Sequence, residues 1–265
     1  KMESRTFKGI TIKFSEGNHQ YYVDDNGKKI RPASVSGIIK GNDGFGIGAM
    51  AGRKNYLETL VEELPNSGLL RVNDITDLQE KLFDIKKLAE KKWTDQAAIG
   101  TAVHNWIEGY LKGDMAEQGY YKGHDNRANH IRKMQYALYD YLVAKIGVLY
   151  KAEHLVYDNS ILPYAGKFDA WLEHKKHGEC LVDWKTVTKK SNGTLWRIQL
   201  AGYMMALCNE LDRKPFNRLI VAIDKDTMEI REYVFDVESY KKDLEVWKHY
   251  LQIHQFLKDY KWYKH

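Results

Sequence analysis

Two acidic residues and a lysine stand where the chain otherwise reads as buried strand. Asp169 lies in Gly166-Lys167-Phe168-Asp169-Ala170-Trp171-Leu172, and Asp183 and Lys185 lie in Leu181-Val182-Asp183-Trp184-Lys185. Charged side chains are seldom buried unless they are paired or ligate a metal. Residues two apart on a strand emerge on one face, so Asp183 and Lys185 point together. The tight link Lys175-Lys176-His177-Gly178 allows the two strands to pair as a hairpin, which brings Asp169 alongside. Two such carboxylates make an oxygen site suited to Mg²⁺ or Mn²⁺, ions that keep several waters and accept substrate phosphate. An ammonium group beside that ion can position or deprotonate an attacking water, or stabilise the charge that builds on a phosphate. Taken by itself, the Asp-x-Lys triplet favours the plainer reading of a surface salt bridge.

The elements that must hold these residues follow from periodicity. Strands are expected at Val148 to Tyr157, Tyr164 to Glu173 and Glu179 to Val187, then a helix at Leu195 to Leu211 that carries Gln199 and Tyr203 four apart on one face. A second strand pair, Arg218 to Asp224 and Met228 to Phe235, precedes a long amphipathic helix from Val237. Upstream, Ile99, Val103, Trp106 or Ile107, and Tyr110 recur at helical spacing. His104 and Glu108 share a face of that helix, with Gly100 one turn before His104. Another helix is expected from about Arg127 to Ile146. This order predicts an α/β fold with a central mixed β-sheet flanked by helices.

The first ninety residues are less informative. Ile10 to Phe14 and Tyr21 to Val23, with the turn Asp24-Asp25-Asn26-Gly27, predict a small hairpin, and Ser34 can cap a helix through Ile39. Gly44-x-Gly46-x-Gly48 resembles a phosphate-cradling loop only superficially: no buried strand precedes it and no Gly-Lys-Ser/Thr follows. Ala49 to Lys92 is helical in pattern, broken at Pro65-Asn66-Ser67-Gly68. The division expected is residues 1–92 as an N-terminal hairpin with mainly helical additions, and 93–265 as the core with its C-terminal helix.

A 43% hydrophobic content supports a substantial core, and the net charge of +5 is compatible with nucleic acid without demanding it. Two cysteines, Cys180 and Cys208, are too few for an iron–sulfur cluster and read as buried thiols in a reducing compartment. No run of residues reaches membrane-spanning length, and no signal-peptide pattern opens the sequence. The expectation is a cytoplasmic protein of a bacterial or phage-infected cell.

The full constellation resembles the PD-(D/E)xK nuclease superfamily, in its RecB-like exonuclease branch. That branch is marked by Gly-x-x-x-His-x-x-x-Glu on a helix, a glutamate strand, Gly-x-x-Asp, Asp-x-Lys and Gln-x-x-x-Tyr. This chain has Gly100 to His104 to Glu108, Glu153, Gly166 to Asp169, Asp183-Trp184-Lys185 and Gln199 to Tyr203 in the same order. The likeness covers roughly Trp93 to Phe235. Asp-Trp-Lys-Thr followed by Gln-Leu-Ala-x-Tyr also resembles phage and mitochondrial genome-maintenance exonucleases. Gly166-Lys167-Phe168-Asp169 departs from the Pro-Asp of the superfamily's name, a departure common in this branch.

The resemblance implies a restriction-endonuclease-like core and a Mg²⁺- or Mn²⁺-dependent deoxyribonuclease with one or two ions. His104, Asp169 and Asp183 would ligate metal together with the backbone carbonyl of Trp184. Lys185 would activate water, Glu153 would touch a second ion or support the site from outside, and Glu108 would stand behind the ligands. Gln199 and Tyr203 would contact DNA phosphate or brace Lys185, with Arg197, Lys189 and Lys190 as further phosphate holders. The implied partner is DNA, single- or double-stranded at its ends, together with a recombination or single-strand-binding protein. A structure-selective endonuclease and a catalytically silent DNA-binding module of the same fold are the alternatives.

Overall fold

Alternation and turn chemistry build the N-terminal region. Strands β1 (Met2–Phe7), β2 (Ile10–Ser15), β3 (Gln20–Asp25) and β4 (Lys28–Ile30) form an antiparallel meander. Its two tight turns place Lys8-Gly9 and Asn26-Gly27 at positive φ, the conformation that matches the twist of paired strands. The expected hairpin is thus the centre of a four-stranded sheet. The turn at Lys8-Gly9 and the polar strand before it carry too little apolar alternation to be read in advance. Ile12, Phe14, Tyr21 and Val23 form its inner face and pack on Leu155, Tyr157 and Ala165.

In this computed structural model residues 2–42, 56–63, 75–114, 128–187 and 194–259 are described. A two-residue strand β5 (Ala33–Ser34) pairs with Tyr164 and Ala165, and the Ser34 hydroxyl accepts the Gly37 amide at 2.9 Å to cap α1 (Val35–Asn42). A short helix α2 covers 56–63. Helix α3 runs unbroken from Ile75 to Lys112, through residue 92, and α4 spans Ala128–Lys145. The glycine stretch Gly44 to Gly48 lies outside the described residues.

The central sheet is mixed. Strands β6 (Ile146–Asp158), β7 (Tyr164–His174) and β8 (Gly178–Val187) are successive antiparallel neighbours, while β9 (Asn217–Asp224) runs parallel to β8 and antiparallel to β10 (Ile230–Phe235). A parallel neighbour requires a crossover; here it is α5 (Thr194–Leu211). That helix is apolar nearly all round, burying Ile198, Leu200, Ala201, Tyr203, Met204, Met205 and Leu207. It is enclosed between the sheet and α6 (Val237–Asp259), and a Cβ on Gly202 would fall 2.8 Å from the Trp247 ring. On the opposite face, Ile99, Val103, Trp106 and Ile107 of α3 and Ile131, Met134 and Leu138 of α4 cover Ala170, Leu172, Val182, Trp184 and Val221. The result is helices on both faces of a mixed sheet, as the residue pattern predicts. Among the described residues no helix is long and apolar enough to cross a membrane.

Candidate active site

Strand β7 changes its facing at Asp169. Tyr164 and Phe168 pack under α5, whereas Ala170 and Leu172 pack under α3 and α4, although even spacing on one strand should keep all four on one side. Pairing of β7 with β8 begins at Ala170↔Val182 and continues to His174↔Gly178. Just before it, the Asp169 carboxylate takes the place of a ladder acceptor: its Oδ2 accepts the Trp184 amide at 2.8 Å. Across from Asp169, between the pairs Ala152↔Ala170 and His154↔Phe168, Glu153 has φ +50°. A left-handed non-glycine residue costs about 1–3 kcal/mol and persists where its surroundings over-determine it.

Helix α3 supplies the imidazole. The buried row Ile99, Val103, Trp106 and Ile107 fixes the helix's rotation, which sets His104 Nδ1 3.6 Å from Asp169 Oδ2. Gly100 eases the approach of α3 to β8: a Cβ there would meet Thr186 Oγ1 at 3.1 Å, and the threonine would have to shift by a few tenths of an ångström. Glu108, one turn on, is ion-paired with Lys112.

Asp183 is buried, and Lys185 Nζ stands 2.5 Å from its Oδ2. Burial pulls the Lys185 pKa down, but the Asp183 and Asp169 carboxylates outweigh it and hold the ammonium above its ordinary value. Burial, reinforced by the Asp183 charge, pushes Asp169 up to about 7. Burial and then Asp169 do the same to Glu153, also to about 7, against the pull of Lys167. His104 is lowered by burial and by Lys185.

Gln199 Nε2 donates to the Tyr203 hydroxyl at 3.1 Å, and the buried Tyr203 ring lies against Gly166. A Cβ on Gly166 would come 2.4 Å from Tyr203 Cε1 and 3.0 Å from Val35 Cγ2, so this glycine is what admits the tyrosine. Gly166 and Tyr203, read as separate motifs, are therefore one packing unit. Arg197 turns the other way: its Nε donates to Asp243 Oδ2 of α6 at 2.7 Å. Lys189 and Lys190 lie outside the described residues.

One contributor escapes sequence reasoning. Lys167 Nζ is 2.8 Å from Glu153 Oε2 and 3.5 Å from Glu3 Oε1, so β1 reaches the site. The available signal was a lysine inside an otherwise apolar strand, the same signal that singled out Asp169.

His104, Asp169, Asp183 and Lys185 thus gather where the pairing of β7 with β8 ends, midway along both strands, with Glu153 across from Asp169 on β6. The metal-donor atoms of His104, Asp169 and Asp183 do not all lie within 4.8 Å of one another. Among the described residues the group that meets that limit is His174, His177 and Glu232, at the β7–β8 turn. There His174 Nδ1 accepts the Lys176 and His177 amides, both at 3.2 Å, which places the ring proton on Nε2, facing Glu232 Oε1 at 3.4 Å. A metal needs the opposite tautomer, with the proton on the far nitrogen. That group is a hydrogen-bonded clamp joining the turn to β10. Beside Asp169 the donors fit a hard divalent ion: two mutually repelling carboxylates, one of them the buried Asp183, and an imidazole.

No family model matches the chain, and no curated protein matches it. Among solved structures it is similar to a protein described as "Putative exonuclease" from Eubacterium rectale, with a TM-score of 0.45 and 11% identity over 61% of this chain and 68% of that one. It is also similar to the protein SSO0001, with a TM-score of 0.29 and 15% identity over 48% of this chain and 58% of the other.

Proposed function

We propose that this chain is a Mg²⁺- or Mn²⁺-dependent deoxyribonuclease that hydrolyses phosphodiester bonds at DNA ends. The observation that carries this reading is the Lys185–Asp183 pair, 2.5 Å apart, set beside Asp169 and His104 where β7 and β8 diverge. His104, Asp169 and Asp183, with the Trp184 carbonyl, would hold the divalent ion. When bound, that ion supplies Lewis-acid activation of water and neutralises charge on the phosphate. In the metal-free chain two carboxylates hold Lys185 protonated, and as an ammonium group it would donate hydrogen bonds to the attacking water or to a phosphate oxygen. The Trp184 amide fixes the Asp169 carboxylate through Oδ2, the oxygen that also lies 3.6 Å from His104 Nδ1. Gln199 and Tyr203 place polar groups beside these carboxylates for the DNA backbone.

Linear DNA carrying distinguishable labels at each end, incubated with protein and Mn²⁺ beside covalently closed circles, tests the reading. Nucleotide release from the linear DNA with intact circles is the expected result. Linearised circles would indicate endonuclease action, and no cleavage of either at concentrations that bind DNA would remove the proposal.

The carboxylates also give a pH signature. Asp169 and Glu153 are raised to about 7 in the folded chain, so folding takes up protons that the unfolded chain releases. Their contribution to stability is fully present below about pH 4 and is lost as pH rises through about 7. The metal-free melting temperature should fall between pH 5 and pH 8, and Mn²⁺ should raise it more at pH 8 than at pH 5. A Mn²⁺ shift independent of pH in a fluorimetric melt would disconnect these groups from the ion.

A further inference from the structure

Lys167 is the unassigned charge of the site. Its side chain is 18% exposed, and around its ammonium stand Glu153 Oε2 at 2.8 Å, Glu3 Oε1 at 3.5 Å and the Phe14 ring, with Nζ 5.4 Å from the centroid, while the Glu108 charge also acts on it. Glu3 belongs to β1 and Phe14 to β2, so two strands of the N-terminal sheet converge on this one group. Phe14 is itself seated by Tyr21, whose ring centre lies 4.7 Å away, in the cluster that fixes this sheet on β6 and β7. Glu153 meanwhile sits at φ +50° with its side chain 16% exposed, turned toward Lys167 and away from solvent. The ladder pairs on either side and the Lys167 ion pair are what hold it in that conformation.

Asp183 is also paired with an ammonium, but His104 and Asp169 would share the ion's charge with it, whereas a second ion on Glu153 would compete directly with Lys167 for one carboxylate. A second ion on Glu153 would sit within a few ångströms of Lys167, and like charges that close repel strongly in a partly dry site. Resting on the nuclease reading above, we propose that Lys167 is a positioning residue. Buttressed by the N-terminal sheet, it fixes Glu153 and supplies, in place of a second divalent ion, the positive charge on that side. The site then takes a single ion on His104, Asp169 and Asp183, and β1 and β2 are part of its machinery.

Mn²⁺ stoichiometry, read from the paramagnetic resonance of free Mn²⁺, tests this alongside steady-state cleavage and thermal melts. The wild-type chain should bind one ion. Lys167→Met should bind a second ion, which the further change Glu153→Gln removes, and kcat should fall about 10- to 100-fold with KM for DNA unchanged. Lys167→Arg should keep one ion and recover most of the rate. Glu3→Gln, remote from the ion and folded by the same melts, should lower kcat in the same direction by less. Two ions on the wild type, or one ion and an unchanged kcat in a folded Lys167→Met, would overturn the inference. A wild type that binds one ion, gains a second on Lys167→Met, yet cleaves no DNA would overturn the nuclease reading and leave the role of Lys167 standing.

Discussion

Lys185→Ala is expected to lower single-turnover DNA cleavage by about 10²- to 10³-fold while DNA binding persists, the size of effect seen when one preorganised charge-stabilising donor is removed. The reason lies in what surrounds the ammonium. Lys185 Nζ is 2.5 Å from Asp183 Oδ2, and Asp169 adds a second carboxylate within electrostatic reach. Without the lysine, two carboxylates face each other in a buried setting, which removes the donor and also loads the metal-free fold with uncompensated charge. The two consequences respond differently to metal. A divalent ion repays the charge, so the variant should melt early without Mn²⁺, recover on its addition, and bind the ion more tightly than the wild type. The ion cannot replace a donor aimed at the attacking water, so cleavage stays low. Wild-type cleavage by the Mn²⁺-loaded variant would strip Lys185 of its assigned role.

The parts of this site that could be read in advance are those where one residue breaks a local pattern. Asp169, Asp183 and Lys185 interrupt apolar strands, His104 sits on a helix whose buried row is periodic, and the Lys175 to Gly178 link marks the hairpin that aligns them. What escaped depends on contacts between residues far apart in the chain. Lys167 has meaning only once Glu3 is known to lie beside it, and nothing in either segment encodes the distance. Arg197 illustrates the converse. Five basic or polar side chains near Asp-x-Lys all look available for phosphate in the sequence, but Arg197 is bonded to Asp243, on a helix beyond the next two strands. The change of facing at Asp169 was equally hidden, because strict alternation is the rule that sequence reading assumes and this strand breaks it where the chemistry lies.

Asp243 is where the largest loss of stability is expected. Arg218 is fully buried and gives its Nη2 to Asp243 Oδ2 at 2.7 Å and to Ser239 Oγ at 3.0 Å, while Arg197 Nε donates to the same carboxylate at 2.7 Å. One buried carboxylate therefore serves two guanidinium groups, joining β9, α5 and α6 at one point. Removing it by Asp243→Ala leaves Arg218 charged, buried and without its anion, a change that costs about 3–5 kcal/mol. For a chain of this size that corresponds to a drop in melting temperature of roughly 10 °C. The pair itself need not be net stabilising: taking two charges out of water is expensive, and an apolar pair of similar volume can do as well. Arg218→Met combined with Asp243→Leu should therefore regain much of the stability lost in Asp243→Ala, leaving only the half-buried Arg197 to find water. Equal melting temperatures for the single and double variants would mean that the cost lies in packing at α6 rather than in the stranded charge. Because α5 carries Gln199 and Tyr203, loosening this joint should also weaken the seat of Tyr203 against Gly166, so cleavage by Asp243→Ala should fail on warming before the chain unfolds globally.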